Sequence, residues 1–398
     1  MVTQTLDIEQ LRSETPGSAI TTHFNHAGSS LPSSATLAAV TEHLQRESLY
    51  GPMEAAANAA GLIDEVRADA AGLVGAAPAE IAFASSGSAA WGSAFAALPP
   101  LVAGDRILVG RQEWGGNLST MQAAAKRAGA RIETIPVNED GSVDAGALAD
   151  MIDDRVRLVA LTWLPANGGL INDAAAIGKV TRAAGVPYFI DAAQALGQLP
   201  VDVSVIGCDM LKGSGRKFLR GPRGVAILYL RKAFLEKLEP AYLDVLSSSW
   251  GEEGPNVRAD AQRFETSEKP IALLLGLGAA LKQARHLGVG AIRQRIKDLS
   301  GQLRDQLGAI PGVTILDLGA EKSGLVSFTV AGIAPQTIRS QLAEKRITIA
   351  ANGIAYTPLD MTARGLNEIV RASVSYLNTT DEIDRLCDNV AALAQQAA

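Results

Sequence analysis

The sequence predicts an α/β protein: a large domain built on a mostly parallel sheet, followed by a smaller C-terminal α/β domain. Three observations predict it. From about residue 60 to 235, helical stretches alternate with short apolar runs, the pattern of strands joined through crossover helices. Those runs are continuously apolar rather than alternating, as in a sheet covered on both faces. After residue 290 the strands become fewer and more widely spaced.

The elements follow in order. "RILVG" (106–110), "RIETIPV" (131–137), "LVALTW" (158–163), "PYFID" (187–191) and the run 225–230 read as strands. "NLSTMQAAAKRAGA" and "AAAIGKVTRAAG" between them read as helices, the second closing on Gly185-Val186-Pro187. "IALLLGLGAAL" (271–281) is about half the ~20 residues a membrane span needs and reads as a buried helix. "GVTIL", "GLVSFTV", "ITIAA" and "IVRASVSYL" supply the later strands, and Thr379 with Glu382 forms a capping box for the last helix. The division expected is an N-terminal segment 1–25 packing near the small domain, a large domain 26–285 and a small domain 286–398.

The chain has 398 residues, of which 47% are hydrophobic and 20% charged, with a net charge of −6. That is a soluble composition with no global basic field to recruit nucleic acid or anionic membrane. The two cysteines, Cys208 and Cys387, build no disulfide framework and suit a reducing, cytoplasmic compartment. The four histidines show no metal-ligand spacing, and the N-terminus lacks the basic and apolar regions of a signal peptide.

Four local features point to chemistry. Asp191 ends an apolar strand, where a carboxylate is costly unless it faces a cation or caps a helix. "FASSGSAAWGSAF" (83–95) is a Ser/Gly turn running into a helix, so Ser86, Gly87, Ser88 and Ala89 form either a plain loop or a phosphate cradle. Trp114 stands beside two glycines, where it either stacks on a flat ligand or fills the core. Lys217 follows Ser214 and Arg216 in "GSGRKFLRGPRG"; a lysine there is solvated by default, but burial and an adjacent cation would free its amine for covalent chemistry. Each feature alone has an ordinary explanation. Together they describe a site for pyridoxal 5′-phosphate: a phosphate cradle, a stacking aromatic, an aspartate for the ring nitrogen and a lysine for the aldehyde.

With these motifs the chain resembles the class V aminotransferase family of fold-type I pyridoxal-phosphate enzymes, from "FNHAGSSLP" to "VRASVSYLNTTDEID". The most specific segments are "DAAQALG", "GSGRKFLRGPRG", "RFE" and "RASVSYLNT". The resemblance implies that Lys217 forms the Schiff base and that Asp191 partners the ring nitrogen. It implies Gln194 at the phenolic oxygen, Trp114 stacked on the ring, Ser88, Ser214 and Arg216 at the phosphate, and Asn167 near the cofactor oxygen. Arg371 would clamp the substrate carboxylate, with Asn25, His26, Tyr50 and Tyr356 around it. It further implies a homodimer with a shared site, into which the "RFETS" loop reaches.

Cysteine desulfurases of this family need a nucleophilic cysteine on the loop that reads "AANGIAYTPLDM" here, and Ala355 stands in its place. "EWGGNLSTM", "DAAQALGQL", "RKFLRGPRGVA" and "TPLDMTARGL" are similar to the ergothioneine-pathway C–S lyases that act on hercynylcysteine sulfoxide. The expected function is therefore β-elimination from an L-cysteine conjugate or its sulfoxide. Transamination and epimerisation or racemisation share the first steps, with His26 or Tyr50 as a second acid for the last. A non-catalytic binding protein on the same fold is a further alternative.

Overall fold

The computed structural model describes residues 6–397; the first five residues of the expected N-terminal segment lie outside them. The main sheet has seven strands in the order Ile81–Ala84, Ala226–Leu230, Met210–Lys212, Tyr188–Asp191, Val156–Thr162, Arg106–Val109, Arg131–Thr134. All run parallel except Ala226–Leu230, which is antiparallel to both its neighbours. The α/β fold with a mostly parallel central sheet is thus the one the sequence predicts. Two of the strands, Ile81–Ala84 and Met210–Lys212, had no counterpart in the sequence reading. Met210–Lys212 has only three residues, and the apolar side chains of Ile81–Ala84 are diluted by two alanines.

Side chains alternate across each strand and build two cores. Val159, Leu161 and Ile190 pack into one face, while Leu158, Ala160 and Phe189 pack into the other. The apolar run at 271 becomes the helix Ile271–Leu287, which buries Leu274, Leu277 and Leu281 against the first core.

A second, antiparallel sheet holds Val313–Ile315, Leu325–Val330, Glu368–Ser373 and Ala350–Gly353 in that order, over its own core. "ITIAA" divides in two. Ala350–Gly353 joins this sheet, whereas Ile347–Thr348 pairs in parallel with Thr22–His23 of the N-terminal segment. The final helix, Thr380–Ala397, opens on the expected capping box: Thr379 Oγ1 accepts from the Glu382 amide, and Glu382 Oε2 accepts from the Thr379 amide, both at 3.3 Å.

One buried ion pair braces the strand that leads into the Ser/Gly turn. Glu265, of the "RFE" motif, accepts from Arg67 at 2.6 Å, from the Phe83 amide at 2.9 Å and from Lys269 at 2.5 Å. Arg67 also donates to the Ile81 carbonyl at 2.7 Å. Burial would raise the Glu265 carboxyl, but the Arg67 and Lys269 cations hold it below the usual range. Removing one partner strands a buried charge. Glu265→Ala is expected to cost about 3–5 kcal/mol, measured as a lowered midpoint in chemical denaturation.

Candidate active site

Three adjacent parallel strands end together, and their last residues are register neighbours: Thr162 opposite Asp191, and Asp191 opposite Lys212. Paired residues share a face of the sheet. All three therefore line one cavity of about 390 Å³ at the carboxyl ends of the strands, where ligands of such sheets bind.

Asp191 is buried, and its carboxylate accepts from three donors. Oδ2 accepts from Lys212 Nζ at 2.8 Å and from Asn117 Nδ2 at 3.0 Å, and Oδ1 accepts from the Ala193 amide at 2.9 Å. Burial by itself would raise this carboxyl. The Lys212 and Lys217 cations and the hydrogen bonds outweigh it and keep the group below its ordinary value. Asp191 caps no helix; its cost is met by cations.

Lys217 lies on the cavity wall in the turn after Met210–Lys212. Enclosure lowers its amine to about 7; Asp191 opposes the shift, while Arg216, Lys212 and Arg371 add to it. The turn is held from both sides. Gly197, at φ 88°, comes so close that a Cβ there would sit 2.6 Å from the Phe218 carbonyl carbon and the Leu219 nitrogen. Arg220 is buried and donates to the Tyr376 hydroxyl at 2.7 Å, to Thr15 at 2.5 Å and to the Leu31 carbonyl at 3.0 Å. One arginine of the basic loop is thus a structural tie to the N-terminal segment and the second sheet.

Ser86 caps the helix Gly87–Ala96 by accepting from the Ala89 amide at 3.1 Å. Ser86, Gly87 and Ser88 line the cavity, opposite Ser214 and Arg216. Ala89 does not line it; it faces a separate pocket beside Phe83 and Phe264. Trp114 is half-buried on the wall, its backbone amide bound to Thr162 Oγ1 at 2.9 Å. A Cβ on Gly115 would stand 2.0 Å from the Ala355 carbonyl oxygen, so glycine lets the turn Ile354–Tyr356 pack against this helix start and brings Tyr356 to the cavity. Arg371 enters from the second sheet. Its guanidinium donates to the Ala166 carbonyl at 2.9 Å and to Asn25 Oδ1 at 3.0 Å, leaving Nε without a partner among the described residues.

Three expected contacts fall elsewhere. Asn167 turns away from the cavity and donates to the Gly353 carbonyl at 3.2 Å while accepting from Asn352 at 2.8 Å; its neighbour Ala166 lines the wall instead. His26 is buried behind Phe218 with Nδ1 at 3.0 Å from Ser30 Oγ, and burial keeps its ring well below the usual histidine range. Tyr50 ends the helix Ser34–Tyr50 fully on the surface, away from the cavity of this chain. Neither is placed to act as a second acid for racemisation within one chain.

The sequence reading missed Lys212, Asn117, Glu113 and Arg223. Arg223 and Lys212 line the cavity, and the other two lie beneath it. Lys212 carried a usable signal, a charge closing the apolar "ML" just as Asp191 closes "YFI". Among the described residues, no cluster of His, Cys, Asp or Glu could hold a metal ion, and no helix is long and apolar enough to cross a membrane.

Residues 22–386 match the family model described as aminotransferase class-V. The chain is similar to a cysteine desulfurase of Yersinia pestis (strain Pestoides F), with 32% identity over 292 residues covering 72% of this chain and 70% of that one. The apo structure of a cysteine desulfurase from Thermococcus onnurineus NA1 shares the fold, with a TM-score of 0.90, 24% identity and all of both chains covered. The cystine C–S lyase C-DES, solved with its reaction product cysteine persulfide, gives a TM-score of 0.85 at 28% identity over 95% of this chain and 99% of that one. A C-DES mutant with glycine covalently linked to the pyridoxal-phosphate cofactor gives 0.86, also at 28%, over 97% and 99%.

The donor set fits pyridoxal 5′-phosphate. A lysine amine of about 7 and an ionised aspartate share one cavity with a helix start flanked by Ser88, Ser214 and Arg216. Gln194 donates through Nε2 to the Ala27 carbonyl at 3.1 Å, which leaves Oε1 buried on the same wall with no partner among the described residues, an acceptor for a donor on a bound group. An amine captures an aldehyde only when neutral, that is above its own pKa. Covalent capture of pyridoxal phosphate by the apoprotein, trapped by borohydride, is expected to quicken from pH 6 to 8 and then level off. An ordinary lysine, titrating near 10.4, would still be accelerating at pH 9.

Proposed function

The chain belongs to the class V aminotransferase family of pyridoxal-phosphate enzymes, and from that premise we propose that it is a C–S lyase acting by β-elimination on an L-cysteine conjugate or its sulfoxide. The observation that carries the reading is where the thiols are. Desulfuration through a protein-bound persulfide needs a reachable thiolate at the site. The site turn carries Ala355, and neither Cys208 nor Cys387 lies on the cavity. Cys208 is fully buried just before the strand Met210–Lys212, where burial and Asp209 push its thiol far up. Cys387 packs in the terminal helix, its thiol pushed up to about 12.

In this reading Arg371 holds the substrate carboxylate through its planar guanidinium, pre-aimed by the Ala166 carbonyl and Asn25. Asp191, Trp114 and the Ser/Gly turn would hold pyridoxal phosphate, which would supply the electron sink for charge developing at the substrate Cα. Lys217, neutral in a large share of molecules near pH 7, takes the Cα proton on Nζ. The pair left at Cα forms the Cα–Cβ double bond as the Cβ–S bond breaks with its own pair leaving on sulfur, and Lys217 Nζ, in the same cavity, can return its proton to that sulfur. The released 2-aminoacrylate takes up water to give pyruvate and ammonia. Alkyl thiolates leave less readily than sulfenates, which favours a sulfoxide or an activated conjugate as substrate.

We further take the working enzyme to be a homodimer. The exposed Leu49, Tyr50 and Met53, which would otherwise leave apolar surface in water, support this; size-exclusion chromatography with light scattering tests it.

The holoenzyme is expected to release pyruvate from cysteine conjugates and sulfoxides with no 2-oxo acid added, and Lys217→Ala to abolish that release. Turnover only with an added 2-oxo acid would assign it as an aminotransferase. L-Cysteine converted to alanine rather than pyruvate would make it a desulfurase and overturn the reading. Arg371→Gln removes a charged hydrogen-bond donor pair and is expected to lower kcat/KM about 10- to 100-fold, mainly through KM.

A further inference from the structure

Beneath the cofactor site lies a closed network that the proposed reaction does not use. Lys212 Nζ donates to Asp191 Oδ2 at 2.8 Å and to Asn117 Oδ1 at 2.9 Å. Asn117 Nδ2 donates to Asp191 Oδ2 at 3.0 Å and to Glu113 Oε1 at 2.7 Å. The Glu113, Asn117, Asp191 and Lys212 side chains are all buried, Lys212 with 3% exposure. The Lys212 ammonium also lies 4.6 Å from the centre of the Trp114 ring and 5.6 Å from that of Trp91. Strand register forces the arrangement, because Asp191 and Lys212 are direct cross-strand neighbours at the end of the sheet.

We propose that Lys212 is a positioning residue that shares the Asp191 carboxylate with the ring nitrogen of pyridoxal phosphate and weakens that nitrogen's hold on its proton, while Glu113 supplies the compensating negative charge. The inference rests on the reading that Asp191 faces the ring nitrogen. A carboxylate offers about four acceptor sites, and Asp191 already serves three donors, one of them a full cation. A protonated ring nitrogen would be the second positive charge on one buried anion. Charges this close move a proton equilibrium by one to three units.

The second anion available is Glu113. Its Oε2 is buried with no hydrogen-bond partner among the described residues, and burial, helped by the Asp191 charge, holds its carboxyl at about 7. Glu113 can therefore ionise when the ring nitrogen gains its proton and stay neutral when it does not. The charged groups around the network are Glu113 from the turn before Gly115–Ala128, Asp191 and Lys212 from the strand ends, and Lys217 from the following turn, with Arg216 and Arg371 farther out. The consequence is a less electron-withdrawing ring than an unshared aspartate would give, tuned through a proton on Glu113.

The test is nitrogen NMR of holoenzyme loaded with ring-15N pyridoxal phosphate, titrated with pH, which reads protonation at that atom without turnover. Lys212→Met is expected to keep the ring proton about one to three pH units higher than wild type, and Lys212→Arg, which retains the cation, to titrate like wild type. Glu113→Gln should lose the proton at lower pH than wild type. Curves for Lys212→Met that superimpose on wild type, including a nitrogen protonated throughout in both, overturn the proposal. Should Lys212→Met not fold, an unchanged titration in Glu113→Gln does so. Asp191→Asn separates the two levels: no response there sinks the placement of Asp191 itself, whereas a response there without one in Lys212→Met sinks only the role of Lys212.

Discussion

The site is organised by the burial of one charge, the Asp191 carboxylate at the end of an apolar strand. An isolated carboxylate in such a place would be driven to neutrality. Here the next strand delivers Lys212 in register, the helix start beyond Trp114 delivers Asn117, and the backbone turns to offer the Ala193 amide. The carboxylate stays ionised because three separate elements converge on it. Shifting Met210–Lys212 by one residue would move Lys212 to the other face and leave Asp191 hydrogen-bonded only to the neutral Asn117 amide and Ala193 N–H.

Around that charge the second lobe contributes what the main sheet lacks. Arg371 reaches the cavity from the antiparallel sheet, and Asn25 and Ala166 orient it from two other parts of the chain. The N-terminal segment links these parts, since Thr22–His23 extends the Ile347–Thr348 pairing and Asn25 bridges to Ser373. Arg220 ties the Lys217 turn to the same segment. The Lys217 and Arg371 sides of the cavity are therefore mechanically joined through residues 15–31.

The relatives named cysteine desulfurase and C–S lyase share one architecture with this chain, which illustrates how little a fold fixes about a reaction. The proton abstraction at Cα is common to such chemistries; what differs is the group that receives sulfur. In this chain the turn at Ala355 offers a methyl group and a backbone carbonyl packed on Gly115. Sulfur would leave to solvent or to a second substrate.

Much of the molecule was legible in the amino-acid order. Continuous apolar runs announced a covered parallel sheet, Thr379 and Glu382 announced the last helix, and Asp191 and Lys217 stood out because a charge at a strand end or in a glycine-rich turn demands a reason. Short strands and lateral neighbours were not legible. Met210–Lys212 is too brief to carry a period, alanines dilute Ile81–Ala84, and "ITIAA" gave no sign that two sheets would divide it. Asn167, His26 and Tyr50 sit in the right segments, yet their side chains point into packing or solvent, because orientation depends on local turns that spacing does not encode. The pairing of Lys212 with Asp191 is the clearest case. Sequence determined that Asp191 closes an apolar strand and that Lys212 follows the apolar pair Met210-Leu211; only the parallel register, which sets strands from distant segments side by side, decided that the two charges meet.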